Sequence, residues 1–567
     1  MRLPNAVYAD GIGKGKQTKF AGLNHNLGAS DGDLWAMENM TSDYYPLLAT
    51  RQKRLKYKTL TKPNGLFVWE KLCWVDGTSF YYDGERKGTV EDSVKTFAAI
   101  NGYIIIMPDK KYYDIYHETF GNLEETVSAT AGQVQYGHTH VDLQTGETIT
   151  EYTVVDTTII YSDGTIFGEP ATANTLYCSE IRWADHFRVG DAITISGSSI
   201  TANNQTLIIR EIDGNNLRFY ENSFTNGEEP SGQAVTFQRQ VPELKFMCEN
   251  ENRLWGCTDT TIFASKLGDP FNFYVYDGLD TDSFAVDTGS AGNFTGCLSY
   301  LGYPTFFKEK NIYKVYGSIP SNFEVMGSAS LGLATGSGQS PAIAGETLFY
   351  LSRTGVCMYT GGIPSPISRA FGLERYKNGV AGSDGLKYYI SMQDQSGGWH
   401  LFVYDTQRGM WHEEDSTHAI AFAYSEGNLY FLDDQGGMWI TGTPQDPPET
   451  ETEEDFEWFA EFADYTDDSA NKKGVSKIQI RMELEEGARC TAKLRFDSVG
   501  EWIVPNQGVI EYAADETDVK RSYYLAIIPH RADHYRLRLE GTGGCRIYSI
   551  AVEYYEGSEL KSRSGRQ

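Results

Sequence analysis

The sequence predicts an all-β protein: a β-propeller that carries an inserted small β-barrel or sandwich domain and is followed by a C-terminal antiparallel β-sandwich. The first observation behind this prediction is composition, because 37 tyrosines and 58 glycines in 567 residues favour strands and turns over helices. The second is that helical periodicity is scarce, with residues 33–40 as one short candidate helix. The third is a β-hairpin pattern that recurs along the chain.

Each predicted hairpin consists of two short runs of aromatic and β-branched residues on either side of a polar turn. Such a hairpin has one apolar face and needs further strands to cover it. After residue 250 the hairpins recur at roughly 40 to 50 residues, which is typical of four-stranded propeller blades, although no WD or kelch signature marks them. The predicted pairs are 72–75 with 79–82, 103–106 with 112–116, 254–255 with 262–263, 305–307 with 312–316, 347–351 with 356–359, 387–390 with 399–404, and 429–432 with 438–440.

The hairpins and the breaks between them divide the chain into six predicted segments. These are an N-terminal arm at 1–62, the first propeller blades at 63–124, an inserted β domain at 125–240, the remaining blades at 241–443, an acidic proline-rich linker at 444–456, and the β-sandwich at 457–567. The arm is expected to be irregular and to pack over a domain edge or to reach a neighbouring subunit.

The insertion is predicted because the hairpin period breaks there while strand patterns continue. Residues 148–155 alternate between polar and apolar side chains, as a half-buried strand does. Residues 206–212 and 216–220 flank Asp213-Gly214, a dipeptide typical of hairpin turns. Insertions in propeller loops generally build a projecting face.

The C-terminal segment is predicted as a sandwich because 477–484 and 535–539 alternate strictly, which indicates strands with one solvated face. The segment before it, 444–456, combines prolines with many carboxylates. Such a sequence cannot bury a core, so we expect a solvated linker.

The formal net charge is −28, so most of the surface should repel duplex DNA. This counts against ordinary nucleic-acid binding but not against a conduit through which DNA slides. Basic residues gather in three clusters, which indicate either solvated faces or docking sites for acidic partners. The clusters are Lys14, Lys16 and Lys19; Arg51, Lys53, Arg54, Lys56 and Lys58; and Lys561, Arg563 and Arg566.

The eight cysteines contain no CxxC pair, and most lie in apolar strand runs, as expected of reduced, buried thiols in a protein folded in the cytosol. The N-terminal residues lack the apolar region of an export signal. No apolar run nears the length needed to span a bilayer, so no membrane span is expected.

His138, His140 and Asp142 are weak candidates for metal ligands. At this spacing they would share one face of a strand. The alternative is an exposed polar strand face in the insertion. Without a second ligand cluster elsewhere, neither a metal nor a cofactor is predicted.

Three polar residues open the final strand region: Arg531, Asp533 and His534. Their expected role is local hydrogen bonding at the start of that strand. The alternative is a role at an interface.

No catalytic residue is predicted, because the catalytic motifs in the sequence are incomplete. The glycine-rich run 11–18 is loosely similar to a phosphate loop, but Asp10 and Gln17 stand where a glycine and a serine or threonine are required. Residues 162–164 lack the spacing and tryptophan of a sialidase box, and 336–340 lack a nucleophile elbow. With 77 acidic residues, the presence of some carboxylate pair is uninformative.

The stretch 252–323 contains the segments NRLWGC, IFASKLGDPFNF, TDSF, FFKE, IYKVYG and PSNF. In these segments it resembles bacteriophage tail proteins of the nozzle, or packaged-DNA stabilisation, type, a tail hub β-propeller family. Further similar segments, including 348–353 and 410–412, extend the resemblance to about residue 442, and the acidic linker and the sandwich ending at 557–560 are also similar. The insertion and the first 60 residues resemble the family less.

The resemblance implies a structural, non-enzymatic propeller subunit, six copies of which surround an axial channel at the distal end of a short tail. The ring would retain the packaged genome and pass it at ejection. Implied partners are copies of the chain, the tail adaptor and portal-side proteins, tail fibres, and double-stranded DNA that passes without specific binding. The implied location is the virion tail, after assembly in the host cytoplasm.

A second hypothesis is a glycan-binding or glycan-degrading β-propeller from a tail fibre or a secreted enzyme. The absence of a recognisable export signal counts against secretion but not against a tail fibre, since phage proteins assemble in the host cytoplasm. A monomer that binds or cleaves glycans would favour this hypothesis, and a ring would favour the first.

Overall fold

The structure is a computed structural model that describes residues 12–26, 32–142, 144–163, 174–220, 224–442, 444, 451–466, 472–512, 520–528 and 530–556, with 12, 133–138, 151–155, 520 and 556 described as backbone only. This part of the chain is all-β, as predicted, and its strands pair antiparallel. Helical structure there is limited to short 3-10 turns: Trp183–Asp185, Thr201–Asn203, Pro320–Asn322 and Ser368–Phe371. Across the same residues, no helix has the length and apolar character required to cross a bilayer.

The strands are numbered in chain order. The first group is β1 (Ile12–Gln17), β2 (Leu34–Glu38), β3 (Met40–Thr41), β4 (Leu48–Thr50), β5 (Leu55–Thr59), β6 (Pro63–Trp69), β7 (Lys71–Asp76), β8 (Ser79–Tyr82), β9 (Glu85–Thr89), β10 (Thr96–Ile100), β11 (Tyr103–Met107), β12 (Lys111–Asp114), β13 (Thr119–Asn122), β14 (Thr126–Thr130), β15 (Gly132–Val141), β16 (Thr148–Thr157), β17 (Ile159–Ser162), β18 (Thr175–Cys178), β19 (Ala192–Ser196), β20 (Thr206–Asp213), β21 (Asn216–Phe219), β22 (Gly227–Glu228) and β23 (Ala234–Arg239). The second group is β24 (Phe246–Asn250), β25 (Arg253–Cys257), β26 (Thr261–Ala264), β27 (Phe284–Asp287), β28 (Gly296–Tyr300), β29 (Tyr303–Lys308), β30 (Asn311–Tyr316), β31 (Glu324–Ala329), β32 (Ala342–Ala344), β33 (Thr347–Ser352), β34 (Gly355–Tyr359), β35 (Ser365–Pro366), β36 (Lys377–Ser383), β37 (Lys387–Gln393), β38 (Trp399–Asp405), β39 (Met410–Asp415), β40 (Ala419–Ser425), β41 (Asn428–Asp433) and β42 (Gly437–Thr441). The third group is β43 (Glu451–Thr452), β44 (Glu457–Phe462), β45 (Lys473–Leu484), β46 (Arg489–Phe496), β47 (Val509–Glu511), β48 (Lys520–Ala526), β49 (Arg531–Ala532), β50 (Tyr535–Thr542) and β51 (Cys545–Glu556).

All seven predicted hairpins are present, and each forms the second and third strands of a sheet. Six of these sheets have four strands in chain order: β6–β9, β10–β13, β24–β27, β28–β31, β32–β35 and β36–β39. The seventh contains β40, β41 and β42, followed by β5 and β43. The middle strands carry the most continuous apolar runs, such as the buried residues 104–107 of β11, which explains why the sequence pattern is clearest there.

The chain divides into two compact units, residues 1–77 with 330–567, and residues 78–329. In the first unit β32 packs against β36, β36 against β40, and β40 against β6. In the second unit β10 packs against β24, and β24 against β28. Within each unit, therefore, successive sheets meet through their first strands. The charged residues on these seven first strands are Glu249 and Lys377.

The N-terminal segment differs from its prediction as an irregular arm, because it contributes strands to three sheets of the first unit. β5 pairs with β42 and supplies the fourth strand of the last hairpin sheet. The backbone N–H of Leu60 donates to the carbonyl of Gly436 at 2.7 Å. Gly436 has φ of +90°, and a Cβ there would lie 2.1 Å from the Leu60 oxygen, so this close approach requires glycine. The predicted helix at 33–40 is wrong, since this segment forms β2 and begins β3.

The C-terminal sandwich of the first unit is completed by these N-terminal strands. One sheet has the order β3-β4-β51-β45-β48, with β1 also paired to β51 and β49 to β45, and the other has the order β2-β44-β50-β46-β47. Apolar side chains of both sheets share one core, including Trp458 and Leu537 from the second sheet and Ile480 and Ile547 from the first. The predicted strands 477–484 and 535–539 lie within β45 and β50.

The region predicted as an insertion has its own core, whose buried members lie between Ala129 and Phe237. Its sheet has the order β14-β23-β19-β20-β21-β18-β17-β22. The first part of β20 pairs with β19 and the rest with β21, and the pairing with β21 has an irregularity between Ile209 and Glu211. The Asp213-Gly214 hairpin joins β20 to β21 as predicted. The predicted barrel is not closed in the described residues, because β14 and β22 remain the two ends of this order. β15 and β16 form a separate two-stranded hairpin.

In its described C-terminal part, residues 451–456, the predicted acidic linker is exposed or half-buried, and two of its residues form a short strand. There, β43 pairs with β5, and the backbone N–H of Glu453 donates to the carbonyl of Arg54 at 2.9 Å. This part of the segment is held in place because the carboxylate of Glu453 accepts hydrogen bonds from the buried Arg51 side chain and from the backbone N–H of Arg54. The composition of the linker does not reveal these partners.

Candidate functional site: a buried ionic junction

Two arginines that follow β4 are almost completely buried, with 6% of Arg51 and 5% of Arg54 exposed. The Arg54 guanidinium donates to Glu414 Oε2 at 2.6 Å and to Asp415 Oδ2 at 2.7 Å. Arg51 donates to both carboxylate oxygens of Glu453, at 2.7 and 3.0 Å. These five residues join the N-terminal segment, β39 and the segment before β44, and we call them the ionic junction.

The local backbone positions both arginines for these contacts. Asn39, between β2 and β3, has φ of +58°, a left-handed conformation that asparagine tolerates better than most residues. Its side chain accepts a hydrogen bond from Arg51 Nε at 2.7 Å and donates one to the carbonyl of Glu457 at 2.8 Å. The backbone N–H of Arg54 donates to Glu453 Oε2 at 3.0 Å. The arginines are therefore held by the backbone as well as by their partners' charges.

The pKa values of the junction residues are shifted so that the arginine and the carboxylates stay ionised. Burial acts to lower the pKa of Arg54, but the carboxylates of Asp415 and Glu414 raise it above its ordinary value. Burial acts to raise the pKa of Asp415, but the charge of Arg54 and its hydrogen bond lower this pKa to about 2. The pKa of Glu453 is lowered in the same way, by Arg51 against the effect of burial. Two cations thus face three carboxylates, and each cation would be costly to bury alone.

His412 lies beside the junction on β39 and is buried, with 4% of its surface exposed. Its Nδ1 has no hydrogen-bond partner in the described part of the chain. It lines a cavity of about 10 Å³, a volume suited to one water molecule, together with Asp43 and Lys387, which form an ion pair. Burial and the nearby cation Lys387 lower the pKa of His412 to about 4, against the opposing charges of Asp405 and Asp43.

This histidine predicts a specific loss of stability in acid. Its pKa is lower in the folded state than the ordinary value of about 6.5, so the stabilisation is complete above pH 6.5 and is lost as the pH falls toward 4. The full effect is about 3 kcal/mol. Urea unfolding at pH 7 and at pH 4.5 should show a smaller difference for His412→Asn than for the wild type. Equal pH dependence in the two proteins would contradict the assignment, whatever the variant's stability at pH 7.

A larger cavity of about 240 Å³ lies next to the junction in the first unit. It is lined by Tyr44, Thr50, Arg51, Gln52, Lys53, Phe456, Glu483, Glu485, Gly543, Gly544, Cys545 and Arg546. Its aromatic faces are already covered: the guanidinium of Arg51 lies 4.1 Å from the Phe456 ring centroid, and that of Arg546 lies 4.5 Å from Tyr44. Glu483 accepts a hydrogen bond from Tyr548 at 2.6 Å and pairs with Arg546.

The three metal-ligand candidates of the insertion lie on or directly after one strand of a hairpin. His138 and His140 lie on β15 opposite Glu151 and Ile149, and the side chain of His138 is outside the described part. His140 is exposed. Asp142 lies in the turn after β15, where a hydrogen bond from the backbone N–H of Gln144 lowers its pKa. The arrangement is that of a turn at the end of a polar hairpin.

The polar residues at the start of the final strand region make local hydrogen bonds, as expected. The backbone N–H of Asp533 donates to Asp497 at 2.9 Å, and Ser498 Oγ lies 2.7 Å from His534 Nε2. Asp497, Asp533 and His534 are the one group of three potential metal ligands within mutual reach in the described residues, and their hydrogen bonds account for the grouping. Arg531 lies on β49, which pairs with β45.

Two further sequence motifs have clear structural outcomes. The run that is loosely similar to a phosphate loop forms the extended strand β1 from Ile12 onward, and it pairs with β51, where Lys14 forms an ion pair with Glu553. The rejection of a phosphate loop is therefore confirmed for these residues. The cysteines are free thiols, and all but Cys248 and Cys297 are buried, as predicted.

Sequence reasoning missed four buried cations among the described residues of the second unit, including Arg253 and Lys95. Arg253 is 2% exposed and donates to four backbone carbonyls of residues 265 and 280–282. Lys95 forms an ion pair with Asp109 at 2.6 Å, and both side chains are fully buried. A charged residue inside an apolar run, such as the arginine of NRLW, is the signal that could have identified the first of these.

Neither a protein family nor a curated protein matches this chain. Among solved structures, the designed Ika8 protein is 9% identical, with a TM-score of 0.31 over 69% of this chain and 99% of that chain. Raptor from Chaetomium thermophilum is 10% identical, with a TM-score of 0.28 over 70% of this chain and 29% of that chain. BamB from Moraxella catarrhalis is 13% identical, with a TM-score of 0.20 over 57% of this chain and 100% of that chain. Likenesses this distant support no conclusion about the activity or partners of the chain.

Proposed function

We propose that this chain is a structural, non-enzymatic subunit of a bacteriophage tail nozzle. Copies of the chain form a ring-shaped conduit, with six copies expected from the resemblance of residues 252–323 to that family. The conduit retains the packaged double-stranded genome and passes it at ejection. Its neighbours in the virion tail are the adaptor and portal-side proteins and the tail fibres.

The recurring sheets support the propeller part of this proposal. Seven sheets have a predicted hairpin as their second and third strands, and within each unit they pack in succession through their first strands. The last of them takes its fourth strand, β5, from the N-terminal segment. This pairing ties the N-terminal segment to the last of the hairpin sheets. We interpret the seven sheets as blades.

The distribution of charge supports a conduit made by several copies. The first strands of the seven sheets are nearly uncharged, and within each unit they pack against one another, so they offer no acidic passage for DNA. The chain nevertheless has a net charge of −28. A passage along which DNA slides without adhering needs such negative potential on its wall, and the outer surfaces of neighbouring copies can supply it.

The observation that carries the structural role is the ionic junction. Its charged groups are buried and paired with one another, and they connect the N-terminal segment, β39 and the segment before β44. An acid–base catalyst needs a titratable group near the operating pH that can reach a substrate, whereas Asp415 has a pKa of about 2. Charge pairs of this kind fix segments in place, which suits a component that must hold a packaged genome.

The oligomeric state tests the proposal. Size-exclusion chromatography with light scattering, followed by negative-stain microscopy of the purified full-length chain, is expected to show a closed ring of six copies. The ring should persist when glycans are added, because it needs no ligand. A chain that remains monomeric at every concentration and cleaves glycans would contradict the proposal.

The second candidate function, glycan binding or cleavage, draws on the cavity of about 240 Å³ beside the junction, which contains Glu483, Glu485 and two aromatic rings. Two carboxylates and an aromatic platform are the groups that a glycosidase uses. Here, however, guanidinium groups cover the faces of Tyr44 and Phe456, which leaves less room for sugar stacking. Glycan-array binding that is lost in Glu483→Gln and retained in Glu511→Gln, an exposed carboxylate, would favour this candidate.

A further inference from the structure

Three cysteine thiols meet in the second unit. Cys248 lies on β24, Cys257 on β25 and Cys297 on β28. The thiols of Cys248 and Cys257 lie near enough to the Cys297 thiol to contribute to its raised pKa. All three belong to or pack against one apolar cluster, whose fully buried members include Cys257. Neither the weak metal-ligand candidates nor the proposed function uses these thiols.

The strand register is independent evidence that Cys248 and Cys297 are close, because each lies opposite an aromatic residue and these two aromatic residues contact each other. Cys248 is opposite Trp255 in its own sheet, and Cys297 is opposite Phe306 in the next sheet. The rings of Trp255 and Phe306 are in contact, with centroids 6.5 Å apart. The two first strands, β24 and β28, also pack against each other. Cys248 and Cys297 are therefore near each other because the two neighbouring sheets pack through β24 and β28.

We propose that Cys248 and Cys297 form a disulfide that ties β24 to β28 when the folded chain meets an oxidising medium. Cys248 is partly exposed, whereas Cys257 is buried and the Cys297 thiol is desolvated by burial, so a soluble oxidant reaches Cys248 first. The bond would close a loop that contains β25, β26 and β27 and would fasten one sheet to the next. The inference is independent of the nozzle proposal, because it requires only the second unit and an oxidant.

The chemistry balances with oxidised glutathione as the oxidant. The Cys248 thiolate attacks one sulfur of glutathione disulfide and releases a glutathione thiolate, which leaves a mixed disulfide on Cys248. The Cys297 thiolate then attacks the Cys248 sulfur and releases the second glutathione. Two cysteine thiols lose two electrons and two protons, and one glutathione disulfide becomes two thiols. Burial raises the pKa of Cys297 well above its ordinary value, so Cys248 is assigned the first attack.

The test is oxidation of the reduced full-length chain by glutathione disulfide at mildly alkaline pH, followed by alkylation, proteolysis and mass spectrometry. The expected product is a peptide pair linked through Cys248 and Cys297 that dithiothreitol separates. The linked protein should have a second-unit Tm that is higher by roughly 5 °C, since the bond restricts the unfolded chain. Dithiothreitol should reverse this shift.

Variants make the assignment specific. Cys248→Ser and Cys297→Ser should each abolish both the linked peptide and the Tm shift, and Cys297→Ala serves if the serine variant unfolds. Cys73→Ser removes a buried thiol elsewhere and should leave the linked peptide unchanged. Three outcomes would overturn the proposal: a Cys257–Cys297 bond as the main product, a stable glutathione adduct on Cys248, or no change in the thiol count.

Discussion

Replacement of Arg54 by methionine is expected to lower the free energy of unfolding of the first unit by about 3–5 kcal/mol. Arg54 is 5% exposed, and its guanidinium holds Glu414 and Asp415 at 2.6 and 2.7 Å. Methionine fills a similar volume but leaves those carboxylates close together in a buried site. The remaining cation, Arg51, lies 4.0 Å from Glu414 and 3.7 Å from Asp415 and already pairs with Glu453. Urea denaturation followed by tryptophan fluorescence measures the loss.

Lys53→Met is the matched control, because it removes a cation from the adjacent position by the same substitution. The side chain of Lys53 is 40% exposed, and its partner Asp455, at 2.5 Å, is 72% exposed. Such a surface pair contributes less than about 1 kcal/mol. The double variant Arg54→Met/Glu414→Gln should lose less stability than the two single variants summed, since it removes one of the unpaired charges. Equal decreases in the free energy of unfolding for Arg54→Met and Lys53→Met would contradict the stabilising role that we assign to the ionic junction.

The predicted hairpins were found because their signal is local. Strands such as β11 and β12 are joined by a short polar turn, so the apolar runs and the turn that pairs them lie within one stretch of sequence. The same holds for β20 and β21, which the Asp213-Gly214 turn connects. Local pairing of this kind leaves its pattern in the sequence whatever the rest of the chain does.

The N-terminal strands were missed because their partners are remote. β1, with its alternating glycines and lysines, is a poor strand by propensity, and it pairs with β51 across almost the whole chain. β5 likewise pairs with β42. These strands form because β51 and β42 offer backbone groups for pairing. Those partner strands lie far away in the sequence, so a pattern search within the N-terminal segment cannot detect the pairing.

The junction was only half visible in the sequence. The basic cluster that includes Arg51 and Arg54 was recognised, with an acidic docking partner as one interpretation, and the acidic partners prove to be in the same chain. Which of the 77 acidic residues would serve could not be predicted, because β39 and the segment before β44 meet the arginines only in the folded state. The basic cluster therefore indicates that acidic partners are needed, but only the folded structure shows which carboxylates they are.

Replacement of Arg253 by leucine is expected to lower the free energy of unfolding of the second unit by about 3–5 kcal/mol. The guanidinium donates to the carbonyls of Ser265 at 2.9 Å and Asp280 at 2.7 Å, and also to that of Asp282. These carbonyls belong to the loop between β26 and β27, so one buried side chain replaces the water that would otherwise solvate the loop backbone. Leucine fills the space but donates nothing, and the carbonyls become buried acceptors without donors.

The loop itself provides the sharper measurement. Limited proteolysis of Arg253→Leu should cut within residues 266–283 well before the rest of the second unit, because the loop backbone must open to reach water. Arg253→Lys should lose about half as much stability as the leucine variant, since an ammonium group reaches some of the same carbonyls. Arg188→Leu is the control: Arg188 is 58% exposed and pairs with Asp269 at 3.6 Å, so its loss should cost less than about 1 kcal/mol. Protection of the loop in Arg253→Leu would contradict the role assigned to this arginine.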